Sequence, residues 1–226
     1  MINDKFFRVG IDATNLRGGG GVTHLVELLS AAEPAKHGIE HVIVWGGASI
    51  LNLIKDRPWL TKLNPHASNK GLFQRSFWQR YHLSKAVLDE GCDVLFVPGG
   101  SYVGKFHPIV TMSQNLLPFE VSELKRYGWT FFSLKLLLLR FIQSLSFQKA
   151  DGVVFLTEYA RKAVLKVTGK LHGQTYIIPH GLNSRFNRRP KLQRTIADYS
   201  VVKPYHILYV SIIDQYKHQW HVVEAV

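Results

Sequence analysis

Apolar and polar positions fall into blocks along this chain, and the period changes from block to block. Phe6-Phe7-Arg8-Val9-Gly10-Ile11-Asp12 is a short apolar run that predicts a strand. It ends at Asn15-Leu16-Arg17 and four glycines, Gly18 to Gly21, after which Val22, Leu25, Val26, Leu28 and Leu29 recur at helical spacing. His41 to Trp45 predicts a second strand, closed by Gly46-Gly47. Phe77 to Glu90 predicts a helix stopped by Gly91, and Asp93 to Val97 a third strand stopped by Pro98-Gly99-Gly100. Pro108 to Met112 predicts a fourth strand, and Phe131 to Phe147 a long apolar helix carrying Lys135 and Arg140. Gly152 to Leu156 is the fifth strand. Thr157 then caps a helix from Glu158 to Val167, stopped by Gly169. Gln174 to Ile178 is the sixth, closed by Pro179-His180-Gly181.

Continuous apolar runs that alternate with helices require a parallel sheet covered on both faces. The expected architecture is α/β, a Rossmann-like doubly wound sheet over residues 1–186. Residues 187–204 are polar and basic, bracketed by Pro190 and Pro204, and read as a linker. Residues 205–226 offer one strand, Tyr205 to Val210, and one helix start, His218 to Val226. So short a segment does not fold alone without disulfides or metal. It is expected to open a second, truncated domain, or else to dock on the first as an extra layer.

Composition narrows the classes. Of 226 residues, 46% are apolar and 19% charged, enough to bury a core. The single cysteine, Cys92, excludes an intramolecular disulfide and a cysteine-rich zinc site. No apolar run is long enough to span a bilayer, and no secretory signal is visible at the start, so the expected compartment is the cytosol. The net charge of +12 favours anionic partners: phosphate-bearing small molecules, an anionic membrane surface or nucleic acid. The basic stretch Arg185, Arg188, Arg189, Lys191 and Arg194 lacks interleaved aromatic residues, so nucleic acid is not expected. The helix from Phe131 could lie on a membrane, but its Leu136-Leu137-Leu138-Leu139 run predicts burial against the sheet. His218 and His221 could share a metal, yet no third ligand is in view, so no metal is expected.

Four segments carry candidate chemistry. Gly19, Gly20 and Gly21 lie where backbone N–H groups at a helix start can approach a phosphate. No Lys-Ser/Thr pair follows, so this is not a nucleoside-triphosphate loop, and Trp45-Gly46 stands where a dinucleotide fold ends its second strand in an acid. Gln114 and Asn115 cluster just beyond a central strand's C-terminal end, placed to bond a sugar or phosphate. Ile178-Pro179-His180-Gly181-Leu182-Asn183 stops the sixth strand; it serves as a turn or hinge, with His180 an available base. Lys217, at a strand-to-helix junction, is a natural anion contact.

These segments, with Ala150 to Glu158 between them, in this order, resemble the retaining glycosyltransferases of family four, which have the GT-B fold. The resemblance implies transfer of a hexose-type sugar from a nucleotide-sugar donor to a sugar or lipid-linked acceptor, with no cofactor and no metal. It implies that Gln114 and Lys217 are catalytic, Lys217 neutralising the leaving diphosphate. Gly19, Gly20, Gly21, Asn115, Glu158, His180 and Asn183 would bind substrate. It further implies a role in polysaccharide or lipopolysaccharide assembly, in the cytoplasm and at the inner membrane face. The sequence departs from the family pattern at Ile212, where an arginine is common, and at Gln114, where a histidine is common. The distal Glu-rich motif is absent, so the chain alone is expected to be weak or inactive unless a separately encoded half completes it. The competing expectation is a non-catalytic module that binds a phosphosugar or an anionic membrane surface, and the distant alternative, from the +12 charge, is a nucleic-acid-binding protein.

Overall fold

The computed structural model describes residues 6–226. The chain runs through β1 (Phe7–Asp12), α1 (Gly20–Ala31), β2 (Ile39–Trp45), α2 (Ala48–Leu51), β3 (Leu60–Leu63), α3 (Leu72–Tyr81) and α4 (Leu83–Asp89). It continues through β4 (Val94–Val97), β5 (Ile109–Ser113), α5 (Val121–Arg126), α6 (Phe131–Lys149), β6 (Gly152–Phe155), α7 (Glu158–Thr168), β7 (Gln174–Ile177) and α8 (Gln219–Glu224). The strands form one sheet in the order β3-β2-β1-β4-β5-β6-β7, with every neighbouring pair parallel. The chain starts in the middle, builds out to β3, returns to β4 and builds out to β7. The order therefore reverses between β1 and β4, where loops diverge and leave a crevice. This is the doubly wound α/β architecture that the apolar blocks predict.

Two cores follow from the two faces. On one, Val22, Leu25 and Leu29 of α1 and Ile50 and Leu51 of α2 pack with Ile11, Val42 and Val44. On the other, Leu83 and Val87 of α4, Phe147 of α6 and Val164 of α7 pack with Ile43, Leu95, Ile109 and Val153. Consecutive strand residues point to opposite faces, so Ile43 and Val44 serve different cores. Thr157 caps α7 as expected, accepting from the Ala160 N–H at 3.0 Å.

Four expectations are corrected. The helix expected over 77–90 is two helices: α3 begins at Leu72, and the axis breaks at His82, where φ is −116°. β3 was not expected; its edge position leaves Thr61 and Lys62 only part-buried, so it lacks a continuous apolar run. The Leu136–Leu139 run is not sunk against the sheet. Leu136 is buried, but Leu137 and Leu138 are exposed, because one helix can turn only one side inward. Tyr205 to Val210 forms no strand: a strand needs a paired edge, and these residues neither join the sheet nor leave solvent.

The C-terminal segment is tethered at the end of α5 instead. Tyr127 donates its hydroxyl to Asp214 at 2.5 Å, Arg126 Nη1 lies 2.8 Å from His218 Nε2, and the Arg126 guanidinium sits 5.3 Å from the Trp220 ring. Burial, and then the Asp214 carboxylate, push the Tyr127 hydroxyl up to about 12. Among the described residues no helix is long and apolar enough to cross a membrane.

Candidate functional site at the sheet rim

β1 ends on Asp12, whose buried carboxylate anchors the turn that follows. It accepts from the Thr14 N–H at 3.1 Å, from the Thr14 hydroxyl at 2.6 Å and from the Gln79 amide. Burial pushes the Asp12 pKa up, and the bonds from Thr14 and Gln79 pull back against it. Gln79 also accepts from the Val103 N–H at 2.9 Å. One carboxylate thus ties β1, α3 and the loop after β4 together at the crevice.

Beyond Leu16, which is buried, the turn runs bare. A Cβ built on Gly18, Gly19 or Gly20 would meet nothing within 4 Å. Gly19 has φ +68°, a conformation that side-chain-bearing residues avoid, and from it α1 starts with no side-chain cap and no acid in its first turn. The first N–H groups of the 12-residue helix are therefore not taken by a capping side chain. Gly21 differs: a Cβ there would lie 3.1 Å from Gln114 Oε1 and 3.3 Å from Leu16. Gly21 lets Gln114 pack against the helix start, so this pair of expected site residues is in contact.

A groove of about 530 Å³ opens from Gly20 along α1, lined by Thr23, His24, Glu27, Leu28 and Ala31. Its other wall is the segment that leaves β7, from His180 to Phe186. β7 is four strand spacings from β1, about 19 Å, and six extended residues reach about 20 Å. Residues 178–183 cover that span, and Asn183 then bonds Glu27 at 3.0 Å while Arg185 pairs with it at 3.2 Å. The His180 ring lies 4.6 Å from His24. Burial, and then His180, lower the His24 pKa, and its Nε2 is buried with no partner among the described residues.

Two guanidinium groups stand beside the turn. Arg75 is 9% exposed and donates to the carbonyls of Gly71 and Thr14 at 3.4 and 3.3 Å. Arg17 donates to the carbonyls of Ser68 and Lys70 at 2.9 and 3.1 Å. Neither pairs with a carboxylate among the described residues. Burial, and then Arg17, lower the Arg75 pKa. Two like charges without a counter-ion make the rim receptive to an anion.

Gly20, His180 and Asn183 thus meet around the groove; other expected site residues do not line it. Asn115 accepts from the Leu117 N–H at 3.2 Å and serves its own turn. Glu158 sits in the first turn of α7, paired with Arg161 at 2.7 Å. Lys217 lies 4.6 Å over the Tyr216 ring, on the segment tethered to α5. Thr23, His24, Glu27 and Arg75 were not expected from sequence. Positions 20, 23, 24, 27, 28 and 31 are one helical stripe, so the first three had a periodic signal; Arg75 had none. Among the described residues no cluster of three or more His, Cys, Asp or Glu could hold a metal. No protein-family model matches the chain, and no curated protein matches it significantly.

Proposed function

We propose that this chain is the acceptor-side domain of a retaining glycosyltransferase that uses a nucleotide-sugar donor. The observation that carries the proposal is the unobstructed turn at Gly18, Gly19 and Gly20, which follows Arg17, is flanked by Arg75 on the Thr14 carbonyl, and leads at Gly20 into a groove of about 530 Å³ along α1. Backbone N–H groups and cations aimed at a diphosphate stabilise the charge that grows as it departs. In the proposed reaction the bond from the anomeric carbon to the diphosphate oxygen breaks, and the acceptor oxygen bonds the same face of that carbon. The acceptor hydroxyl proton passes to the leaving phosphate, giving a glycoside and a nucleoside diphosphate. His180 and Asn183 would contact the sugar from the strap, and Gln114 would set the position of the helix start. Lys217 would reach the diphosphate only by movement of the segment that carries it. The proposed compartment is the cytoplasm.

Equilibrium dialysis with radiolabelled uridine- and guanosine-diphosphate hexoses, with unlabelled pyrophosphate as competitor, tests the proposal. The expected result is binding that pyrophosphate displaces and that Gly20→Val weakens about tenfold or more, the equivalent of one charge-assisted contact. The melting temperature should not move, because a Cβ at position 20 meets open space. Absence of binding, or equal binding by Gly20→Val, overturns it.

A further inference from the structure

We propose that α6 docks this chain onto an anionic lipid surface, with the helix lying in the plane of the interface. The helix carries large apolar side chains on two opposite sides. Leu136, Gln143, Ser146 and Phe147 are buried on the sheet side. On the other side Leu134, Leu138, Phe141 and Leu145 recur at spacings of four, three and four, one stripe of a helix. They are 62%, 56%, 62% and 44% exposed, and Phe131 at the same end of the stripe is 85% exposed. Trp129, just before the helix, is wholly exposed. A row of large apolar side chains on a 19-residue helix is costly in water and needs a cover.

Charge identifies the cover. From Leu124 to Ala150 there is no acidic residue, while Lys125, Arg126, Lys135, Arg140 and Lys149 are all present. At about 100° per residue, Lys135 and Lys149 fall on the same border of the stripe, one near each end of the helix, and both are exposed, whereas Arg140 falls on the sheet side with Leu136 and Phe147. Neither lysine makes an ion pair among the described residues. An apolar stripe edged by free lysines along one border, with no acid anywhere on the helix and an indole at one end, fits acyl chains beneath a layer of phosphates. A protein partner would have to supply acids to match these lysines beside an apolar ridge, and a second copy would set like charges against each other. α6 is not apolar enough to cross, so it lies on the surface. The inference does not depend on the proposed transfer reaction.

Vesicle co-sedimentation tests it, with phosphatidylglycerol–phosphatidylcholine vesicles compared with phosphatidylcholine alone. The chain should pellet with the anionic vesicles and release as salt rises from about 0.1 to about 0.5 M. Leu138→Glu/Phe141→Glu should lose binding about tenfold or more, and Lys135→Glu/Lys149→Glu should lose the preference for anionic lipid. Both leucine and phenylalanine are exposed, so circular dichroism melts should match the parent. Equal pelleting with both vesicle types, or full binding by the double glutamate variant, overturns the proposal. So does sedimentation equilibrium showing a dimer that those glutamates dissociate, with no vesicle binding.

Discussion

Asp12 takes three hydrogen bonds while buried at the end of β1, so its environment both penalises and satisfies its charge. Asp12→Ala would strand the Thr14 N–H and the Gln79 amide in a dry site. We expect a loss of about 2–3 kcal/mol in urea unfolding, with the turn at Gly18 to Gly20 loosened. His24 gives a pH signature. Its pKa is held below the ordinary 6.5 by burial and then by His180. As pH falls through 6.5 the unfolded chain takes up the proton first, so the stability present above that pH is lost down to the lowered folded value. Urea midpoints for the parent should therefore drop between about pH 7.5 and pH 5.5 more than those for His24→Gln, and equal drops would refute this role. At this scale the sequence showed which residues stand at strand ends. Ile11-Asp12 and the glycines were legible because backbone chemistry fixes them locally. Arg75 was not, because its place depends on α3 folding back over the rim.

Elements carry the next set of consequences. α7 starts on Thr157, which accepts from the Ala160 N–H, and Thr157→Ala should cost about 1 kcal/mol, measured by chemical unfolding. Caps of this kind are readable from sequence because donor and acceptor are three residues apart. The strap from β7 to α1 is a long-range element. Its local residues, Pro179, Gly181 and Asn183, announced a turn, yet its function as a groove wall comes from the contact of Asn183 and Arg185 with Glu27, more than 150 positions away. The same limit explains Tyr205 to Val210. An apolar run predicts a strand only if an edge is there to receive it, and these residues find none. α6 shows the converse: periodicity gave the helix, but only the sheet decides which of its two apolar sides is covered.

On the scale of the whole molecule, the β1–β4 reversal sets the glycine turn and the guanidinium pair at one rim, the groove runs from Gly20 along α1, and α6 has its own exposed ridge. The +12 charge would favour both proposed phosphate contacts, the one at the rim and the one along α6. The alternation of apolar runs and helices was enough to give the parallel sheet, because each strand must be covered on both faces. Where Lys217 lies was not legible, because it depends on how the last segment meets α5. The most direct test of the central claim is an amide NMR titration of the chain with inorganic pyrophosphate. Saturable shifts centred on Gly18, Gly19, Gly20 and Thr23, abolished in Gly20→Val, are the predicted result. Shifts centred elsewhere, or none, would contradict a phosphate site at this turn.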